Sequence, residues 1–310
     1  TLFVDGRYSA QARRQAAGCK VTVAKASLLE AVGTHLREGR RRRVGFEAAR
    51  LTVAQLALLT RRGGPGTVRR WVATEGLVES LRSQKDAGEV QAIAAAAKLG
   101  CRVLEEILPL VRPGVRESEV AAEVEYRMRR LGASGPAFDT IVASGKHSAL
   151  PHARPSSRKL RRNELVVLDM GAILGHYCCD LTRTFYVGKA PQRVRGWHGA
   201  VRQAHEAAAA ALRPGITGEQ VDEAARAVLR KHGLEQRFIH SSGHGLGLEV
   251  HEEPRLARGS KAVLKVGNVV TIEPGVYIEG AGGVRIEDDY VITDKGAERL
   301  TRTCPDVFSL

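Results

Sequence analysis

The sequence predicts an α+β protein: a small α/β unit followed by two similar α/β halves related by a pseudo-twofold axis. Three observations carry this. The composition shifts near residues 80–86, which places a domain boundary around residue 82 and divides the chain into 1–82 and 83–310. Beyond it, "RPGVRESEVAAEVEYRMRRLG" (112–132) and "RPGITGEQVDEAARAVLRKHG" (213–233) align without a gap. Downstream of each copy, an apolar run ends in a carboxylate, "NELVVLDMG" (163–171) in the first and "GNVVTIEPG" (267–275) in the second. One duplication gives two halves; it is too short a repeat for a solenoid.

The elements follow in order. "TLFVDGRYSAQARRQA" reads as a short strand, a turn at Asp5-Gly6 and a helix. "RRVGFE" is a second strand, "TVAQLALLTRR" a short helix and "TVRRWVAT" a further strand, so the first unit has few strands and an incomplete sheet. In "SQKDAGEVQAIAAAAKLGCRVLEEILPLV", apolar residues at Val90, Ile93, Ala97, Leu104 and Leu108 recur with helical period, and the helix ends before Pro113-Gly114. Each repeat copy opens with Arg-Pro-Gly, runs through a helix and closes with Gly; Thr217 and Gln220 form a capping box in the second. "FDTIVASGKHSALPH" (138–152) sits against "FIHSSGHGLGLEVH" (238–251).

The bulk numbers exclude several classes. With 43% hydrophobic and 26% charged residues the composition is that of a globular protein, and no apolar run reaches the eighteen residues of a membrane span. Five cysteines, scattered and odd in number, do not make a disulfide framework; a reducing, cytoplasmic setting is expected. Net charge is +14, with 37 Arg to 11 Lys, but the densest run, "REGRRRR" at 37–43, has no interleaved aromatics to stack on bases. A solvated face accounts for it, and no nucleic-acid partner is expected. The chain begins at Thr1 and its methionines are Met128 and Met170, so upstream sequence is expected and the first unit is expected to be incomplete at its start.

The carboxylates fall on the repeat. Asp169 and Asp180 lie on the two arms of one hairpin, Glu273 and Glu287 on the arms of the other. A two-residue turn at Leu174-Gly175 would set Asp169 directly opposite Asp180, on one side of the ribbon. Like charges so placed repel. Two divalent cations against four carboxylates would balance the charge. Cys178 and Cys179 are less suited, because a strand alternates its faces and only Cys178 can share a side with Asp180. "IHSSGHGLGLEVHEEP" adds His240, His244 and His251 beside glycines that allow close backbone approach. His152 in "LPHARP" is the repeat counterpart of His251.

These residues carry a resemblance. Through "FDTIVASG", "LPHARPS", "LDMGA", "CDLTRTF", "GHGLGLEVHE", "TIEPGVYI" and "VRIEDD", residues 83–310 resemble the pita-bread family of dinuclear metallopeptidases, which includes methionine aminopeptidase, prolidase and Xaa-Pro aminopeptidase. The preceding "FVDGRYSAQA" and "RVGFE" look like the creatinase-type amino-terminal domain of prolidases and Xaa-Pro aminopeptidases. The resemblance implies a pita-bread fold, two α/β halves around a curved antiparallel sheet. It implies five metal ligands, Asp169, Asp180, His244, Glu273 and Glu287, with Asp180 and Glu287 bridging two ions. Four carboxylates and one imidazole form a hard site that suits Mn2+, with Co2+ or Zn2+ as alternatives. The ions would lie roughly 3.5–4 Å apart and share a hydroxide that attacks the scissile carbonyl. Glu273 would shuttle the proton to the leaving amine, and His152 and His251 would steady the tetrahedral intermediate. His240 and Tyr277 would line the pocket for a proline ring, and Arg285 would pair with a ligand carboxylate. His147 stands where family members often have another polar residue.

The implied activity is that of an Xaa-Pro aminopeptidase acting on peptides with proline second, in a homodimer. The alternative is prolidase, restricted to Xaa-Pro dipeptides. Creatinase is metal-free, which a full ligand set argues against. A non-catalytic binding scaffold is a remote alternative, because such proteins typically lose ligands. "GHGLGLE" lacks the third glycine of a dinucleotide loop, and Ser241-Ser242 have no nucleophile-elbow pattern.

Overall fold

Two parallel strand pairs build the first unit, 1–77. Strand β1 (Leu2–Val4) is followed by α1 (Ser9–Gln15) and pairs with β2 (Val21–Val23). After α2 (Leu28–Glu38), β3 (Arg43–Glu47) pairs with β4 (Arg70–Thr74) across α3 (Val53–Arg62). The computed structural model describes residues 1–39, 42–62, 68 and 70–310; part of the basic run at 37–43 and part of "TVRRWVAT" lie outside them. In β3, Val44 and Phe46 point one way, and Phe46 meets Trp71 edge-on at 6.4 Å. Strand β2 is three residues long and was not read from the sequence; neither was α2, although its Leu29, Val32 and Leu36 recur at helical spacing.

The second unit, 78–310, takes in most of α4 (Leu77–Ser83), within which the expected boundary at 82 falls. Helix α5 (Ala87–Ile107) opens with a full capping box between Asp86 and Glu89, each side chain bonding the other's backbone N–H. It stops at a 3-10 turn, Leu108–Leu110, ahead of Pro113-Gly114. Helix α6 (Glu117–Arg130) leads through β5 (Gly135–Pro136) and β6 (Ile141–Ser144) to β7 (Leu165–Met170), β8 (Ala172–Leu174), β9 (Tyr177–Cys178) and β10 (Leu181–Tyr186). The second half repeats the plan with α7 (Gln192–Ala211), α8 (Gly218–Lys231), β11 (Gly243–Gly245), β12 (Glu252–Leu256), β13 (Val269–Ile272), β14 (Gly275–Ile278), β15 (Gly282–Arg285), β16 (Asp288–Thr293) and β17 (Gly296–Arg299). The sheets run β10-β7-β6 and β12-β11-β13-β16-β17, and this is the pita-bread architecture. Each half has its own core. Ile107, Met128, Leu168 and Phe185 pack in the first; Val201, Leu229, Ile272 and Val284 pack in the second. The halves meet where Thr182 bridges Glu287.

The hairpin register corrects one expectation. Leu174 faces Tyr177, so the turn is Gly175-His176, and Asp169 faces Thr182 rather than Asp180. Both turn residues have positive φ, 56° and 75°, the conformation of a tight hairpin turn. A turn one residue earlier would have put Leu174 in that region, which a bulky side chain resists more than Gly175 does. The shift is by two residues, so Asp169 and Asp180 still share a face.

A second correction follows from the register. In the second half the ladder breaks at Glu273 and Glu287, between Ile272–Asp288 and Gly275–Arg285. The corresponding break in the first half falls at Gly171, not Asp169. A Cβ on Gly171 would lie 2.3 Å from the Cys179 carbonyl oxygen and 2.7 Å from the Phe138 ring. No side chain fits there, so the first-half carboxylate stands two residues earlier, on the same face.

The cysteines differ from expectation too. Cys101 on α5 and Cys304 beyond β17 form a disulfide, while Cys19, Cys178 and Cys179 are free thiols. Their separation of 203 residues hid the pairing, which depends on where the carboxyl-terminal segment packs. Among the described residues no helix is long and apolar enough to cross a membrane.

Candidate metal centre

The structure brings the five expected ligands together. Asp169 lies on β7, His244 on β11, and Asp180, Glu273 and Glu287 at strand breaks, where the backbone leaves the ladder. Ligand atoms of Asp180, His244 and Glu287 lie within 4.8 Å of one another. His244 Nε2 is 3.7 Å from Asp180 Oδ2 and 3.5 Å from Glu273 Oε1. Its Nδ1 is 3.0 Å from the Gly245 carbonyl oxygen, to which it donates, leaving the Nε2 lone pair facing the carboxylates. Burial holds His244 down at about 4, so the ring is neutral, as a ligand must be.

The electrostatics show what the cluster lacks. Burial, then Glu287 and Asp169, push Asp180 well above the usual carboxylate range; burial, then Glu273 and Asp169, do the same to Glu287. Burial pushes Glu273 up to about 8, with Arg285 opposing the rise. Asp169 Oδ1 and Asp180 Oδ1 are buried with no hydrogen-bond partner among the described residues. Buried acceptors without donors, among carboxylates too close to ionise together, fit divalent cations. The donor set is oxygen-rich with one imidazole and no thiolate: Cys178 is raised to about 11 and Cys179 well above its ordinary value, both first by burial.

Around the ligands lies a buried hydrogen-bonded shell. Arg285 pairs with Asp169 and donates from Nη1 to Tyr277 Oη at 2.6 Å and to the Pro151 carbonyl oxygen at 3.2 Å. The Tyr277 hydroxyl donates in turn to His240 Nε2 at 2.9 Å, and His240 Nδ1 donates to the Ser241 carbonyl oxygen at 2.8 Å. Burial, then Arg285, hold His240 down at about 3, so this relay starts from a neutral imidazole. His251 meets the His244 ring edge-on at 4.4 Å and is exposed, as is His152. Exposed rings beside a buried cluster are placed to meet a ligand arriving from solvent.

Sequence reasoning missed Thr182. Its hydroxyl donates to Glu287 Oε2 at 2.6 Å, and its carbonyl accepts the Glu287 N–H at 3.1 Å. The signal was present: Asp180, Thr182 and Thr184 alternate as polar residues on one face of the strand. Asp288 was missed as well. It pairs at 2.8 Å with Arg183, whose Nη1 donates to the Glu287 carbonyl oxygen at 2.7 Å, and accepts from the Thr301 hydroxyl at 2.6 Å.

Arg285→Met should destabilise the metal-free protein by about 3–5 kcal/mol, the usual cost of leaving a buried carboxylate unpaired. Thermal and urea unfolding of the metal-free variant read this, and an unchanged midpoint would contradict the pairing with Asp169.

Residues 91–294 match the model of metallopeptidase family M24, and residues 1–84 match the creatinase/prolidase amino-terminal domain. The chain belongs to metallopeptidase family M24 and is a metal-dependent peptidase. It is 44% identical over 236 residues to an Xaa-Pro dipeptidase of Pyrococcus furiosus, covering 76% of this chain and 68% of that one. Among solved structures it resembles an Xaa-Pro dipeptidase from Bacillus anthracis, with TM-score 0.95, 37% identity, and coverage of 99% of this chain and 86% of that one. It also resembles an X-Pro aminopeptidase from Thermotoga maritima, with TM-score 0.91, 35% identity, and coverage of 100% and 87%.

Proposed function

We propose that the chain hydrolyses the bond between an amino-terminal residue and a following proline, as an Xaa-Pro aminopeptidase. The observation that carries this is the buried cluster of Asp169, Asp180, His244, Glu273 and Glu287, joined through Arg285 and Tyr277 to His240. Two divalent ions held by Asp169, Asp180, His244, Glu273 and Glu287, Mn2+ by the hardness of the donors, would polarise the scissile carbonyl and activate water near neutral pH. Glu273 takes the proton of the attacking water and delivers it to the departing proline nitrogen. His152 and His251 donate to the oxyanion as it develops. His240 and Tyr277 form the wall against the proline ring, their polar atoms turned inward to each other and to Arg285.

A second reading, restriction to Xaa-Pro dipeptides, is favoured by the Xaa-Pro dipeptidases among the relatives. One experiment separates the two. With Mn2+ supplied, kcat/KM is measured on an Xaa-Pro dipeptide and on the same dipeptide extended by two residues. Comparable or faster cleavage of the longer peptide is expected; cleavage of the dipeptide alone would establish the second reading, and cleavage of neither would reject both. A homodimer and a cytoplasmic setting complete the proposal.

A further inference from the structure

Each half contains a buried carboxylate that metal chemistry does not use. In the first half it is Glu117, at the start of α6, fully buried. Its Oε1 accepts from the Ser144 backbone N–H at 2.8 Å and the Ser144 hydroxyl at 2.7 Å. Its Oε2 accepts from the Ser156 N–H at 3.1 Å and the Ser156 hydroxyl at 2.6 Å. His147 Nδ1 reaches the same oxygen at 3.0 Å. One carboxylate therefore ties both ends of the stretch 144–156. That stretch carries His152, the Pro151 carbonyl that accepts from Arg285, and the Ser148 hydroxyl that accepts the Gly283 N–H at 2.9 Å. Burial alone would raise Glu117, but the Ser156 and Ser144 hydroxyls and His147 outweigh it and hold the group ionised below its ordinary range.

The second half repeats the device with other residues. Asp222 on α8 is buried, and its Oδ1 accepts from the Ser242 N–H at 3.1 Å and the Ser242 hydroxyl at 2.8 Å. Its Oδ2 accepts from Arg226 Nε at 2.6 Å, and Arg226 donates to the Phe238 carbonyl at 3.1 Å and the His240 carbonyl at 2.6 Å. This carboxylate ties both ends of 238–242, the stretch that carries His240. One element recurs in both halves: a serine gives its N–H and its hydroxyl to one carboxylate oxygen, twice on Glu117 and once on Asp222. The helix positions differ, since Glu117 is the first residue of α6 and Asp222 lies one turn into α8. Direct inheritance from the duplication does not account for that. In each half the bracketed stretch bears a histidine that the proposed function sets beside the substrate, His152 in the first and His240 in the second.

We infer that Glu117 and Asp222 are positioning residues, each locking the loop that presents one substrate-facing histidine, His152 for Glu117 and His240 for Asp222. The inference rests on the peptidase reading for its kinetic part. A helix-borne anion with fixed backbone and hydroxyl donors holds a loop more tightly than the loop's own sparse hydrogen bonds, and such ordering sustains preorganised donors.

The test uses the full chain loaded with Mn2+ and the variants Glu117→Gln, Ser156→Ala, Asp222→Asn and Ser242→Ala, with rates normalised to folded protein. The serine variants keep the test usable if an amide variant fails to fold. Loss of at least about 10-fold in kcat/KM is expected for the amide variants, the scale seen when an outer partner of a site residue is removed. Combining Glu117→Gln with His152→Ala should lose no more than His152→Ala alone, and likewise Asp222→Asn with His240→Ala. Rates within twofold of the parent, or losses that multiply in the double variants, would overturn the inference. A second arm needs no activity. In the metal-free protein, imidazole NMR signals of His152 should move in the Glu117 and Ser156 variants and stay in place in the Asp222 and Ser242 variants, with the reverse for His240. Signals that move together, or not at all, would reduce both carboxylates to general fold stabilisers. If the parent cleaves no Xaa-Pro peptide, the proposed function fails while this arm still decides the inference.

Discussion

Replacing Asp180 with alanine should abolish turnover while leaving the metal-free protein as stable as the parent, or more so, at pH 8. Asp180 is buried beside Glu287, Asp169, Asp289 and Glu273, and these neighbours and burial together push its carboxyl well above the ordinary range. Its Oδ1 has no partner among the described residues, and its Oδ2 lies 3.7 Å from His244 Nε2. The side chain costs the metal-free fold energy and returns it only to a bound cation. Removing it relieves like-charge repulsion, so stability is kept as function is lost, the trade expected of a site built around a ligand. Activity should fall by at least about 10³-fold, beyond the 10–100-fold typical of residues one layer out. Turnover within tenfold of the parent at full metal occupancy would remove Asp180 from the ligand set. A metal-free midpoint several degrees lower would refute the electrostatic account.

Stripping the metal should abolish Xaa-Pro cleavage, and the pH dependence of what remains should carry the signature of the carboxylates. Glu273 is pushed up to about 8 in the folded metal-free chain, against an ordinary value of 4.5. As pH rises from about 5 to 8, the unfolded chain gives up this proton and the folded chain keeps it. Asp180 and Glu287, raised for the same reason, act in the same direction. These carboxylates favour the unfolded state across that window, while His240 and His244, buried as neutral rings, act the other way until the unfolded histidines have lost their protons, so metal-free stability declines from about pH 7 to 8. Cations bind the ionised forms, so loading releases protons and the metal-induced rise in melting temperature should be larger at pH 8 than at pH 5.5. Calorimetric Mn2+ titrations in buffers of different ionisation enthalpy read the proton count directly. Zero proton release at pH 6.5, or a metal-free midpoint that climbs from pH 7 to 8, would show that these carboxylates are already ionised. Equal cleavage by stripped and reloaded protein would show that the metal is not required.

Much of the site could be read from local pattern. The duplicated Arg-Pro-Gly helices and the two apolar runs ending in acids grouped Asp169, Asp180, Glu273 and Glu287, and the His-Gly cluster offered His240, His244 and His251; only the family resemblance singled out His244. Arg285 was expected beside a ligand carboxylate, and Asp169 is the one it pairs with. Residues that serve the site from one layer out were less visible. Thr182, Glu117 and Asp222 are ordinary polar residues until distant segments supply their partners, Glu287 for the first and Ser144 and Ser242 for the others.

By itself the sequence determined the secondary-structure periods of the duplicated unit, the repeat, and which acids share a face. These are properties of spacing along one segment, and a shift of two residues leaves them intact. Tertiary structure alone decided the strand register, the offset of Asp169 from the break at Gly171, the Cys101–Cys304 link and the bracketing of the histidine loops. Each of these depends on what a remote segment brings within a few ångströms. At Gly171 it is the Cys179 carbonyl and the Phe138 ring that leave no room for a side chain, and so the carboxylate stands at Asp169.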